Sequence, residues 1–446
     1  MTFPLYGSIL ESKNLLRSLR HKNYRLFFIG QGISLIGTWM QAVTTGWLVY
    51  RLTHSAFLLG MVGFVDKVPI FIFSSLAGVL IDRYQKYRVI LVTQVLSMIQ
   101  AFIYAYLVLS NKIQTWEILV LAAFLGIVNS VDIPARQSFI VEMIEEKENL
   151  GNAIALNSTI FNGARLIGPS IGGILVAQVG EGYCFLINAF SFVAVLIALL
   201  SMKLNFIEHQ PRNTNPWTEL KEGVSYAFGF LPTRYILILL SLYGLLAMPY
   251  SVLLPAFVKN TLGGGAKTLG FLMAATGAGA LLGALYLASR KTIVGLGRWI
   301  AVSSSLFAVT LILFSFTTLF WLSLCLMVVV GFGMMVQMAS SNTILQTIVD
   351  DDKRGRVMSL YVVSVAGMAP FGSLLAGSLA NRIGTPLTMR IGGLVCILGS
   401  LIFTLKLPEI RQLVYPIYSR MGILKEVSRI QSAVGLATEI EILEKS

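Results

Sequence analysis

Charge is scarce in this chain. Of its 446 residues only 12% are Asp, Glu, Lys or Arg, against 56% hydrophobic. Soluble domains carry about a quarter charged residues, and a soluble chain this apolar could not cover its own surface. Histidine is scarcer still: His21, His54 and His209 all lie outside the long apolar runs, which argues against a zinc enzyme inside a membrane. The three cysteines, Cys184, Cys325 and Cys396, fall in apolar stretches without paired spacing, so neither a disulfide framework nor a cysteine metal site is expected. No glycine-rich nucleotide-binding loop is present, which leaves ATP-driven work without a site. No cofactor and no enzymatic activity are expected.

What the chain has in abundance is apolar runs of about 20 residues, the length needed to cross a bilayer. We place twelve: Tyr24–Tyr50, Ala56–Ile81, Val89–Ser110, Gln114–Gln137, Asn152–Gln178, Tyr183–Lys203, Tyr235–Phe257, Thr268–Ser289, Arg298–Thr318, Phe320–Ile348, Gly355–Ala380 and Pro386–Lys406. The first run is too long for a cleavable signal peptide. The expectation is an all-α, multi-pass membrane protein. Its parts are an N-terminal segment (1–23), a six-helix bundle (24–203), a linker (204–234), a second six-helix bundle (235–406) and a tail (407–446). Within the linker, Trp217, Leu220, Val224 and Phe228 are spaced as on an amphipathic helix lying at the membrane surface.

The net charge of +13 points to orientation rather than to nucleic acid. With the N-terminus in the cytoplasm, 26 of the 34 lysines and arginines fall on the inner side, six fall outside, and Lys67 and Arg165 lie within spans. Such a bias favours both termini inside, in the inner (plasma) membrane.

The two bundles repeat. Gly151–Gly180 and Gly355–Gly384 align without a gap, sharing glycine at 151/355, 163/367, 168/372, 173/377 and 180/384. Glycine is costly inside a helix, so shared glycines carry more weight than shared leucines. Two six-helix halves of one orientation form a parallel repeat, as in many transporters.

The loop after the second span reads Gly78-Val-Leu-Ile-Asp82-Arg83-Tyr-Gln85-Lys86-Tyr-Arg88. It resembles the inner-loop signature of the major facilitator superfamily, with Gln85 in place of a second glycine. The fifth span reads Ala164-Arg165-Leu-Ile-Gly168-Pro169-Ser-Ile-Gly172-Gly173. It is similar to the helix-5 motif of proton antiporters in that superfamily, with Ala164 replacing the leading glycine. His21–Tyr50 and Asp132–Glu142 resemble the branch of enterobactin and macrolide exporters. The resemblance implies a proton-coupled exporter of a small molecule, such as a siderophore or a drug-like compound, working as a monomer. Drug–proton antiporters usually carry an arginine in helix 4, and Leu119–Val128 has none. The motif residues Gly78, Asp82, Arg83, Arg88, Gly168, Pro169, Gly172 and Gly173 are then expected to gate movement of one half against the other. The positive dipole end of helix 11 faces the loop that holds Asp82, worth about 0.3–2 kcal/mol to a carboxylate. The alternatives are ordinary topology charges and close helix packing.

Helix 1 bears a polar stripe, Gln31, Ser34, Thr38, Gln41 and Thr45, at spacings of 3 and 4. Lipid satisfies no hydrogen bond, so the stripe either bonds neighbouring helices or lines a central cavity. Asn129, Tyr243, Tyr250, Gln337, Ser341 and Asn342 are further candidates for contact with a small-molecule substrate. Four charges lie within spans: Asp66, Lys67, Asp132 and Arg165. Such charges usually face a cavity or a partner and mark transport paths. Asp66 is the first choice for a proton-coupling carboxylate and Asp132 the second; a structural Asp66–Arg165 tie is the alternative. The remaining function classes are an importer, a flippase for lipid-linked substrates, and a membrane scaffold or receptor that moves nothing.

Overall fold

The computed structural model describes residues 17–144, 147–202, 224–290 and 292–424. Twelve helices in the described residues are long and apolar enough to cross a membrane. The first six are α1 (Lys22–Thr53), α2 (Ala56–Arg83), α3 (Lys86–Leu109), α4 (Thr115–Met143), α5 (Lys147–Val179) and α6 (Glu181–Leu200). The second six are α7 (Leu231–Asn260), α8 (Ala266–Ala288), α9 (Leu296–Phe316), α10 (Phe320–Ile348), α11 (Lys353–Ile383) and α12 (Thr385–Arg420). No strand occurs among the described residues. The last helix runs on past Lys406, where the apolar run ends, because Leu407, Ile410, Val414 and Tyr418 bury a continuing stripe on the second six helices. Of the expected linker helix, Trp217 and Leu220 lie outside the described residues, whereas Val224 and Phe228 are exposed.

Packing follows the repeat. In the first six helices α1 packs on α5 and α6, α2 on α4, and α3 on α6; in the second six α8 packs on α10, and α9 on α12. The two groups then meet through α5 against α8 and α11 against α2. Both meetings rest on the shared glycines. A methyl group on Gly173 would lie 2.6 Å from the Ala266 carbonyl oxygen, and one on Gly377 would lie 2.7 Å from that of Ala56. Across each crossing stands another glycine, Gly270 or Gly60, so backbone touches backbone. Gly168 and Gly372 do the same work within each group, against α1 and α7. Gly180 and Gly384 end α5 and α11 at φ 89° and 84°, a conformation a side chain would strain.

An even number of crossings puts both ends of the described chain on one face. The glycine crossings lie near the opposite, distal face. There Tyr50 of α1 accepts a hydrogen bond from Asn260 of α7 at 2.6 Å, and Val43 and Ala56 join the apolar core of the second six helices. The two groups are closed against each other on that face.

Candidate functional site

Beneath this closure lies a cavity of about 420 Å³, bounded by α1–α5 on one side and by α7 and α8 on the other. Its volume is that of a small-molecule site. The polar stripe of α1 divides here. Thr38, Gln41 and Thr45 reach the cavity wall, whereas Gln31 and Ser34 are buried away from it. Gln41 is also a structural clamp: it donates to Gln100 of α3 at 3.1 Å and accepts from Asn188 of α6 at 2.7 Å. Asn129 and Tyr250 line the wall, and Tyr250 stands beside Arg165 and Thr276. Tyr243 does not reach it; its hydroxyl donates to the Ser304 carbonyl at 2.6 Å and lies 2.9 Å from the Ser400 hydroxyl inside the second six helices. Gln337 and Ser341 are buried on α10, and among the described residues neither polar atom of Gln337 nor the Ser341 hydroxyl has a hydrogen-bond partner. Asn342 accepts from Gln346 one turn further along the same helix.

Three of the four intramembrane charges, Asp66, Lys67 and Arg165, face this one cavity. None makes an ion pair within 4 Å among the described residues. Asp66 and Lys67 are adjacent on α2 and project about 100° apart. The Arg165 guanidinium lies over the face of Trp39, 5.8 Å from the ring centre, and 3.7 Å from the Met334 sulfur of α10. Neither contact neutralises it. An Asp66–Arg165 tie is therefore not made in this state of the protein.

Asp132 is placed differently. It is 2% exposed and accepts from Thr93 Oγ1 at 2.6 Å and Gln94 Nε2 at 2.9 Å, both on α3. Arg136, one turn on, brings its Nε to 2.7 Å from the other carboxylate oxygen. Asp132 thus joins α3 to α4 away from the cavity. Removing one member of such a buried pair costs about 3–5 kcal/mol. Asp132→Ala is expected to lower the melting temperature of the purified protein by many degrees, far more than Asp66→Ala. Equal small shifts in a thermal melt would show that Asp132 holds nothing together.

Among the gating residues, Gly168, Pro169, Gly172 and Gly173 sit in the packed stretch of α5. Methyl groups on Gly168 and Gly172 would meet α1 at 2.6 Å and 3.0 Å, and Pro169 lines the cavity. Arg88 is exposed at the start of α3. Gly78, Asp82 and Arg83 lie outside the residues whose side chains are described. Sequence reading missed Trp39, Tyr104 and Thr276 as wall residues. Trp39 directly follows stripe residue Thr38, but a tryptophan in a span reads equally well as lipid-facing.

Comparison with known proteins agrees with this architecture. Residues 14–426 match the family model described as transmembrane secretion effector. A staphyloferrin A transporter of Staphylococcus aureus is 28% identical over 384 residues, covering 85% of this chain and 95% of that protein. The multidrug efflux pump Tap of Mycolicibacterium fortuitum is 24% identical, covering 84% and 93%. The enterobactin exporter EntS of Salmonella typhi is 24% identical, covering 88% and 94%. Among solved structures, a POT family transporter in complex with a thioalcohol-conjugated peptide superposes with a TM-score of 0.70 at 13% identity, covering 87% and 96%. A bacterial homologue of the human lysosomal transporter Spinster, inward-facing and unoccupied, gives 0.67 at 13%, covering 88% and 97%.

Proposed function

We propose, from the premise that this chain belongs to the transmembrane secretion effector family of major facilitator transporters, that it is a secondary active exporter of a small organic molecule. The observation that carries this reading is the charged cavity between two repeat-related groups of helices, closed on the distal face. The halves rock about that cavity by alternating access. The proton-motive force drives the cycle, with Asp66 as the titratable group: among the described residues it is the one carboxylate on the cavity wall, whereas Asp132 is committed to α3 and Arg136. Thr38, Asn129 and Tyr250 offer hydroxyl and amide groups to the cargo, and Gln41 offers what its clamp leaves free. Gly173–Gly270 and Gly377–Gly60 are the sliding contacts of the gate. The named siderophore and multidrug relatives support an exported cargo of siderophore or drug-like size. A monomer holds the whole cavity, so one copy suffices.

The test is accumulation by everted membrane vesicles. Energised vesicles carrying the protein should concentrate at least one compound from a panel of siderophores, macrolides and lipophilic cations, preselected by thermal shift, and an uncoupler should release it. Concentration by right-side-out vesicles instead would make the protein an importer.

We place the distal face outside the cell, which the distribution of lysine and arginine supports. Single cysteines at Asn111 and Gly264 are expected to react with an impermeant thiol reagent in intact cells, and cysteines at Gln85 and Asp351 to stay unlabelled. Labelling of Gln85Cys from outside would reverse the orientation.

A further inference from the structure

We infer that the cargo carries an oxyanion, a carboxylate or a phosphate, and that Arg165 and Lys67 hold it; this rests on the transport reading above and adds the chemical class of the substrate. The cavity wall holds two cations and one anion, Lys67, Arg165 and Asp66, a net charge of +1. No other charged side chain among the described residues lines it. A cation inside a membrane protein ordinarily finds a carboxylate partner or a water-filled space, and here neither cation has a partner within ion-pair distance among the described residues.

The surroundings of Arg165 sharpen the point. Its guanidinium rests on the Trp39 ring face and near a thioether. These contacts orient the planar group without satisfying its charge, and they leave N–H donors for a ligand. A guanidinium held this way grips carboxylate or phosphate through paired hydrogen bonds, while a lysine supplies a compact second charge. The backbone beneath Arg165 is fixed by a close crossing: a methyl group on Gly277 of α8 would lie 2.8 Å from the Arg165 carbonyl oxygen. Both cations come from the first six helices. The opposite wall contributes neutral groups, Tyr250, Ser251 and Thr276 among them. One half thus supplies the charge that selects the cargo, and the other supplies hydroxyl groups and apolar surface. Asp66 is the built-in competitor for Lys67, with which its carboxylate interacts electrostatically. Movement of a net anion outward also runs with an inside-negative membrane potential, so such a cargo suits an exporter.

The experiment uses the full chain in lipid nanodiscs, titrated at constant ionic strength with citrate, glycerol 2-phosphate, the uncharged triethyl citrate and the cation tetraphenylphosphonium, read by thermal shift and calorimetry. Citrate or glycerol 2-phosphate is expected to bind, and the stronger of the two identifies carboxylate or phosphate as the favoured group. Triethyl citrate and tetraphenylphosphonium are expected to bind at least tenfold more weakly. Arg165→Gln and Lys67→Gln should each weaken the anion tenfold or more, Arg165→Lys less than Arg165→Gln, and Asp66→Asn should strengthen it several-fold. Triethyl citrate matching citrate, or unchanged anion affinity in folded Arg165→Gln and Lys67→Gln proteins, overturns the inference. If a glutamine variant does not fold, the wild-type comparison of charged and uncharged citrate, with the Asp66→Asn increase, decides alone. Tetraphenylphosphonium bound and pumped by vesicles while the anions are ignored leaves the exporter standing and removes the anionic cargo. Anion binding without vesicle transport of any compound does the reverse.

Discussion

Asp66→Asn is expected to reduce proton-driven accumulation in energised everted vesicles at least tenfold and to flatten its pH dependence, while cargo binding and downhill exchange persist. The substitution is nearly isosteric and removes only the charge and the titration. The α2 backbone at this point is pressed against α4 at Gly126, where an added methyl group would lie 3.1 Å from the Pro69 ring. The site is therefore held by its backbone rather than by the Asp66 carboxylate, which has no hydrogen bond or ion pair among the described residues. The asparagine protein should thus insert and melt near the wild-type temperature. Uphill pumping with unchanged pH dependence would remove Asp66 from coupling. Failure to insert would mark it as a structural tie made in another state of the cycle.

The second large effect belongs to the paired crossings. Gly173→Val and Gly377→Val each force a branched side chain into a backbone contact that has no room for a single methyl group. Overpacking of this kind costs about 1–3 kcal/mol, a factor of about 5–150 in the balance between two states. The cost falls on the state in which the distal face is closed. Each variant is expected to lose most of its transport and to leave the distal side open. A cysteine at Thr38, on the cavity wall, should then label from the distal side several-fold faster than in the parent. Gly151→Val and Gly355→Val serve as controls, because a methyl group there meets nothing within 4 Å. Unchanged labelling of Thr38Cys in the Gly173 and Gly377 variants would reduce these glycines to passive packing.

Much of the architecture was legible because it depends on properties that run along the chain. A span is recognised by apolar length alone, since the bilayer sets it, and all twelve fall where the apolar runs fall. The glycine repeat was equally readable. Glycine in a helix needs a reason, and five reasons recurring at one offset imply one structure built twice. The structure supplied a reason for three of the five pairs: Gly168 and Gly372 are twin contacts within each group of helices, Gly173 and Gly377 are twin contacts between the groups, and Gly180 and Gly384 are twin turns, whereas a methyl group on Gly151, Gly163 or Gly355 meets nothing within 4 Å. The end of α12 was less legible, because its stripe past Lys406 is held by packing against neighbours rather than by lipid.

The site divides along the same line. Helical spacing by itself put Gln31, Ser34, Thr38, Gln41 and Thr45 on one face, and placed four charges inside the membrane. It did not decide which of them share a space. Periodicity defines a direction around one helix axis, whereas a cavity is defined by the angles at which several helices cross. Tertiary structure alone separated Asp66, on an open wall, from Asp132, wrapped by Thr93, Gln94 and Arg136. It also brought Arg165 of α5 beneath Trp39 of α1 and beside Met334 of α10, three residues far apart in sequence with no common period. The chain's own order determined a twelve-span protein built as a repeat. Which charges remain without an ion pair among the described residues was decided only where the helices cross, because an ion pair depends on separation in space and not along the chain.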